Sequence, residues 1–392
     1  MCDNDALETQ LIHADRGDRG DASIAAPIFQ TSTFAFDAPA AMAQGAQTPN
    51  YETFYTRHGN PNHADVERLM ATIEGGEAAI VTASGMGAIT TTALTLLKSG
   101  DHVVAQRSTY AGTHDLLTDL LPRFRVSATF VDQTDTGAFA GAMRAETKLV
   151  MLESPSNPLL RITDIEAVAG IAHERGALVS IDSTIATPVN QNPLRLGADI
   201  VLHSATKYLG GHTDLIAGVV VTSRALVDRI WKTHLVAGSV IGPFDAWLLL
   251  RGLRTLDMRV ERQNRSAQAI AEFLAAHSRI SRVFYPGLPS HQGHDIAARQ
   301  MRGFGGLLSF EIDGSFDDAR RAIANLRLIR TAVSLGGIES LVVQPAAMWP
   351  DIAESREAAA SIGVTPSLVR LAVGTERVDD LIADLDTALA QI

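Results

Sequence analysis

Three apolar runs in the middle of the chain end in residues able to do chemistry. KLVMLE runs into Ser154-Pro155-Ser156-Asn157-Pro158, LVSI into Asp182-Ser183-Thr184, and DIVL into His203-Ser204-Ala205-Thr206-Lys207. If these runs are strands of an open α/β sheet, their carboxyl ends are where a ligand binds. The acid and the lysine stand one strand–helix–strand unit apart, so both can face one pocket. A lysine among hydroxyls together with an aspartate suits pyridoxal phosphate. The amine forms a Schiff base with the aldehyde, the carboxylate keeps the pyridine nitrogen protonated so that the ring accepts electrons, and the hydroxyls take phosphate oxygens. A lone surface lysine is ordinarily a solvated charge; Lys207 is set apart by its place at the end of a buried run.

A phosphate also needs a cradle. Ser84-Gly85-Met86-Gly87-Ala88-Ile89 follows the run AAIVTA and opens a helical stretch, so free N–H groups and the helix dipole favour an anion there. The same segment could pass for a dinucleotide fingerprint, but Thr90 stands where the third Gly or Ala belongs. Gly303-Phe304-Gly305-Gly306 precedes a strand rather than a helix and reads as a turn. Tyr110 follows DHVVAQ, where it can stack on a flat ring or serve as a core aromatic. The 12 histidines, including His212 and the pair His291 and His294, form no ligand set with acids at helical spacing, so no metal site is expected.

These residues need a scaffold, and the chain is long enough for about two or three folding units at 392 residues. From residue 61 short apolar runs alternate with helical periods. ADVERLMATIEG, GMGAITTTALTLLKSG, THDLLTDLLPRF and DIEAVAGIAHERG read as helices, and EAAIVTAS, DHVVAQ, VSATFVD, KLVMLES, LVSID and DIVLHS as strands. Strands such as LVMLE and LVSID lack polar alternation, which predicts a mostly parallel sheet covered on both faces. Near residue 240 the texture changes, and GPFDAWLLLRGLRTLDMRVERQNRSAQAIAEFLAAH reads as one very long helix or two abutting ones, followed by a smaller α+β unit. The expected division is an irregular, aromatic-bearing arm over 1–60, a cofactor domain over 61–245 and a C-terminal domain over 246–392. Hydrophobic residues at 46% and charged residues at 20% suit a folded globular protein, and a net charge of −11 disfavours nucleic acid as a partner. The single cysteine, Cys2, excludes an intrachain disulfide. No apolar run is long enough to span a membrane, and the first residues carry no secretory pattern, so a cytoplasmic protein is expected.

HSATKYLGGHTDLIAGV, ESPSNPLLRITDI, SGMGAI, YTRHGNP, PFDAWLLLRGLRTL and SLGGIESL together resemble the Cys/Met-metabolism family of fold-type I pyridoxal phosphate enzymes. The family includes cystathionine γ-synthase, cystathionine γ-lyase, cystathionine β-lyase, methionine γ-lyase and homoserine-ester sulfhydrylases. The similarity runs from about residue 10 to residue 390. It implies that Lys207 is the Schiff-base lysine and proton shuttle and that Asp182 pairs with the pyridine nitrogen, with Thr184 beside it. It implies a phosphate site from the backbone of Gly85 and Met86 and the hydroxyls of Ser204 and Thr206. Tyr55 and Arg57 would reach that phosphate from a neighbouring subunit, and Tyr110 would stack on the ring and assist proton transfer. Arg370 would clamp the substrate α-carboxylate with Asn157 and the Ser334 region. A homotetramer of dimers with shared active sites is implied as well.

The implied reaction is γ-replacement or γ-elimination on a sulfur amino acid or homoserine ester, with a methionine γ-lyase-like reaction as the alternative. Members that act on cystathionine usually carry an acid just before the Tyr-x-Arg tyrosine. Here that position is Phe54, with Glu52 two residues further off, whereas Glu339 matches the synthase and γ-lyase pattern. Met348-Trp349-Pro350 stands near the expected substrate entrance, where Trp349 could line the distal pocket or fill a loop. An aminotransferase on the same fold and a dinucleotide-dependent oxidoreductase are the competing readings.

Overall fold

The computed structural model describes residues 5–15, 23–348 and 363–392, so Cys2 and Trp349 lie outside the described residues. Seven strands form one sheet: β1 Ala78–Thr82, β2 His102–Gln106, β3 Ser127–Val131, β4 Thr147–Glu153, β5 Leu178–Asp182, β6 Ile200–His203 and β7 Gly218–Thr222. Their order is β1-β7-β6-β5-β4-β2-β3. β7 runs antiparallel to both of its neighbours, and every other pairing is parallel.

Successive residues on a strand point to opposite faces, and here both faces are apolar. Ala79, Val81, Val104, Val150, Val179, Ile181 and Val201 join one core. Ala78, Ile80, Val103, Ala105, Leu149, Met151 and Leu202 join another. The uninterrupted apolar runs thus do two jobs at once, feeding alternate side chains to two helical layers. The helix Pro61–Glu74 belongs to the first layer. Asn60 caps it by accepting the Asn62 N–H, Pro61 sits in its first turn, and Gly75 ends it in the left-handed region at φ 75°. Its buried Glu67 ties two elements together, accepting the Val81 N–H at 3.0 Å and the Asn50 amide at 2.5 Å.

A second sheet holds β8 Ile280–Phe284, β9 Leu307–Ile312, β10 Arg330–Thr331, β11 Leu341–Val343 and β12 Leu368–Ala372, in the order β10-β11-β12-β9-β8. Only β10 and β11 pair in parallel. Helices Leu256–Ala276, Phe316–Ala324 and Val378–Leu389 share an apolar core with it.

The long helical stretch is two helices, Pro243–Leu253 and Leu256–Ala276. From the second, buried Arg259 donates to the carbonyls of Tyr208 and Gly252, each at 2.8 Å, and so braces the loop after Lys207. The arm departs from its expected irregularity, for it contains helices Leu7–His13 and Pro39–Gln47. Both are short, and neither has a side-chain cap, so local sequence marks them weakly.

Candidate active site

The carboxyl ends of β1, β4, β5 and β6 converge, and β7 is what brings β1 beside them. The turn after β1 presses against the loop after β6. A Cβ on Gly85 would meet the Ser204 Cβ at 2.8 Å, and one on Gly218 would meet the Ser84 carbonyl oxygen at 2.1 Å. Only glycine permits that approach. Ser84 then caps the helix Gly85–Leu96, its hydroxyl accepting the Gly87 N–H at 2.9 Å. The Gly85 and Met86 N–H groups precede the first intrahelical bond and face outward as anion donors. Ser204 stands beside them. The Thr206 hydroxyl donates to the Ala217 carbonyl at 3.2 Å and accepts that residue's N–H at 3.1 Å, which fixes its rotamer.

Asp182 ends β5 and connects to this cradle through one hydroxyl. Thr184 Oγ1 donates to Asp182 Oδ1 at 2.5 Å while accepting the Ser204 N–H at 2.8 Å, and the Thr184 N–H reaches the same oxygen at 3.0 Å. Burial pushes the Asp182 carboxyl above the ordinary range, and the two Thr184 bonds pull the other way. A half-buried carboxyl so placed suits a cationic partner.

Lys207 donates through Nζ to Ser334 Oγ at 2.7 Å. Burial, and then the nearby Arg370 charge, lower its pKa from the usual lysine value. Ser334 sits at φ 91°, a left-handed conformation costly for a residue with a Cβ. Its carbonyl accepts Arg370 Nη2 at 2.9 Å, and Arg370 Nη1 donates to Asn157 Oδ1 at 3.2 Å. Arg370 lies on β12, is 8% exposed, and is lowered to about 10 by burial. Its Nε has no partner, so a buried cation keeps an unmet donor.

Tyr110, 52% exposed, is not a core aromatic, so its ring is available at the mouth of the site. Its N–H donates to Glu153 Oε2 at 2.8 Å. Tyr55 and Arg57 are engaged elsewhere: Arg57 lies 5.6 Å from the Tyr55 ring centroid and donates to the Leu235 carbonyl at 3.1 Å. Glu339 is exposed and accepts the Thr213 hydroxyl at 3.3 Å. Glu52 forms a 2.6 Å ion pair with Arg68, and Phe54 packs edge-on against His58 at 4.9 Å. His291 bonds the Leu160 carbonyl, His294 the Pro286 carbonyl and His212 the Gly210 carbonyl, which gives all three structural partners. Two residues escaped the sequence reading. Glu153 closes an apolar run with an acid, which was a usable sign, whereas buried Gln106 had none.

The glycine-permitted cradle, the half-buried Asp182 and the shielded Lys207 fit pyridoxal phosphate at its phosphate, ring and aldehyde ends. The fold and site define an α/β, fold-type I enzyme dependent on that cofactor. The sequence matches the Cys/Met metabolism PLP-dependent enzyme model over residues 8–390, and the chain belongs to that family. It is 45% identical to an L-methionine gamma-lyase of Fusobacterium nucleatum over 391 residues, covering 98% of each protein. It is 43% identical to a cystathionine gamma-synthase of Mycobacterium bovis, covering 97% of this chain and 96% of that one. A crystal structure of cystathionine gamma-lyase from Lactobacillus plantarum, complexed with L-serine, superposes with a TM-score of 0.91 at 39% identity and covers 99% of both chains.

Proposed function

We propose that the enzyme carries out γ-elimination or γ-replacement on sulfur amino acids or homoserine esters, in the manner of cystathionine γ-synthase and γ-lyase. The observation that carries this reading is the buried Arg370 with its unmet Nε, close enough to Lys207 to depress it. An α-carboxylate completes that guanidinium, and the same amino acid then presents its α-amine and Cα beside Nζ.

When bound, pyridoxal phosphate supplies an electron sink that acidifies Cα and, through it, Cβ. The chain's own residues do the rest. Gly85, Met86, Ser204 and Thr206 would hold the phosphate, while Asp182 would keep a negative charge at the pyridine nitrogen. Arg370 and Asn157 orient the α-carboxylate so that the Cα–H faces Lys207. Lys207 Nζ would take the Cα proton and then a Cβ proton, so that the γ-substituent departs with its bonding electrons. In replacement a thiol then adds at Cγ, and Cβ and Cα are reprotonated; in elimination Cγ and Cβ are reprotonated and hydrolysis releases the 2-oxo acid and ammonia. The lysine's depressed basicity suits a group that must both accept and give up a proton near neutral pH. Tyr110, exposed at the mouth of the site, would cover the ring and assist proton transfer. Ser334 Oγ, which accepts from Lys207 Nζ here, would hold the amine whenever it is not joined to the cofactor.

The domain division at 60 and 245 is part of this proposal, as is a homotetramer of dimers with shared sites. Support comes from exposed apolar side chains around the cleft and arm, among them Tyr55 (40% exposed), Ile216 (64%), Val236 (90%) and Met258 (64%). In that assembly Tyr55 and Arg57 serve the phosphate of the partner's site. Among the described residues no helix is long and apolar enough to cross a membrane. A cytoplasmic location is proposed with the rest, on the strength of a chain with one cysteine.

The methionine γ-lyase-like reaction is the second reading. It is favoured by Phe54 and by the pairing of Glu52, the acid two residues before it, with Arg68. Holoenzyme supplied separately with cystathionine, methionine, and O-succinyl-homoserine plus cysteine decides between them. Cystathionine made or consumed, with 2-oxobutanoate from elimination, supports the first reading. Methionine cleavage to 2-oxobutanoate, ammonia and thiol, with cystathionine untouched, selects the second. Keto-acid exchange alone refutes both. Mixing Arg57→Ala and Lys207→Ala proteins tests the sharing of sites: hybrids should recover activity that neither variant has alone, and no recovery refutes it.

A further inference from the structure

We propose that Glu153 is a positioning residue that sets the ring-facing tyrosine and the substrate clamp from a single buried carboxylate. The inference rests on the roles given above to Tyr110, Asn157 and Arg370. Glu153 ends β4 and is 7% exposed. Its two oxygens face opposite sides of the site. Oε2 accepts the Tyr110 N–H at 2.8 Å, and Oε1 accepts the Asn157 N–H at 3.1 Å. Tyr110 opens the short helix Ala111–Asp115, so this bond orients the residue whose ring covers the site. Asn157 in turn takes Arg370 Nη1 on its side-chain oxygen.

The carboxylate itself is held by its own backbone. Gln106, fully buried on β2, donates from Nε2 to the Glu153 carbonyl at 2.8 Å and accepts the Glu153 N–H at 2.9 Å. The same amide also reaches the Ser108 carbonyl at 2.8 Å, which anchors the segment leading to Tyr110. Two loops from different strands are therefore referenced to one side chain. Directly beside it in register stands Asp182, the partner of Glu153 in the β4–β5 pairing. Burial and that neighbouring charge push Glu153 up to about 8, while the two N–H donors pull it down. An acid kept in so unfavourable a place has a geometric task, because no apolar residue could accept both N–H groups.

Glu153→Gln separates this role from bulk packing. The amide keeps the size and one acceptor but turns an NH₂ toward the other N–H, so only one tether survives. Glu153→Asp keeps both acceptors one methylene short. Hydrogen exchange on the apoprotein reads the tether without any turnover. Glu153→Gln should lose about tenfold or more of the protection at Tyr110 or Asn157, with helix Pro61–Glu74 unchanged. In the holoenzyme, kcat/KM should fall roughly ten- to hundredfold with a raised KM, and Glu153→Asp should recover part of it. Unchanged protection at both amides overturns the proposal, even if activity falls. Protection lost with unchanged kinetics upholds the tether and refutes the roles given to Tyr110 and Asn157, so the two readings fail separately. If Glu153→Gln does not fold, a Glu153→Asp protein with native protection at both amides and native KM overturns the proposal instead.

Discussion

Thr184→Val removes a single hydroxyl and keeps the branched shape of the side chain. That hydroxyl makes two bonds, a donor contact to Asp182 Oδ1 at 2.5 Å and an acceptor contact from the Ser204 N–H at 2.8 Å. A hydrogen bond to an ionised acceptor is worth about 1.5–3 kcal/mol, and a buried N–H left unmet costs about 1–3 kcal/mol. Because both losses stem from one atom they do not add fully, and about 2–4 kcal/mol is expected in total. Part of it falls on the apoprotein, read as a lower urea midpoint. The rest falls on the cofactor, read by pyridoxal phosphate titration in the visible, where a dissociation constant at least tenfold higher corresponds to about 1.4 kcal/mol. Losing a donor also moves Asp182 further above its ordinary range, so less carboxylate faces the pyridine nitrogen at lower pH. The affinity defect should therefore widen between pH 8 and pH 6. Thr184→Ser restores the hydroxyl and should behave like the parent. A valine variant with the serine variant's midpoint and cofactor affinity would refute the idea that one hydroxyl joins the acid to the phosphate cradle.

Two further outcomes follow from the same geometry. Arg370→Lys replaces a planar fork by a point charge, so kcat/KM should drop about a hundredfold, mainly through KM, while the visible spectrum of the resting holoenzyme stays put; an unchanged KM for the amino acid would count against the clamp. Glu67, held at about 7 by burial against an ordinary 4.5, binds its proton more tightly when folded. Its contribution to stability is complete below the unfolded value and is lost as pH rises through 7, so the stability of Glu67→Gln relative to the parent should improve by about 3 kcal/mol between pH 4.5 and pH 8. Parallel pH–stability curves for the two proteins would show that Glu67 does not titrate in this way.

Much of this was written into local sequence. LVMLE and LVSID announced strands buried on both faces, because no apolar–polar alternation set one face of them toward water, and their polar ends announced the site. Gly75 after a helical period marked the end of helix Pro61–Glu74, whereas the structure starts the helix at Pro61, three residues before the expected run ADVERLMATIEG. GVVVT could be read as buried but not as reversed: strand direction depends on the chain's path, and no residue type encodes it. The two arm helices were missed because seven and nine residues without capping side chains carry little periodic pattern. At the site, Asp182 and Lys207 were legible because charge at the end of an apolar run is conspicuous. Glu153 was equally conspicuous, but its task emerges only when the loops bearing Tyr110 and Asn157 are folded around it. The left-handed backbone of Ser334 had no sign of its own, since the neighbouring Gly336 and Gly337 account for a turn without it.

The reversed β7 has a consequence for how the enzyme comes into being. β1 pairs in the sheet with β7 alone, and the helix that presents Gly85 and Met86 starts just after β1. A chain growing from its N-terminus makes β1 early but has no strand to dock it on until residue 222 has been added. At ordinary elongation rates that interval is on the order of ten seconds. Throughout it the apolar segment Ala78–Thr82 remains without its partner strand, and half of the phosphate cradle has nowhere to sit. On the proposed roles, the phosphate cradle is completed only in the second half of synthesis, after Lys207 has already been made.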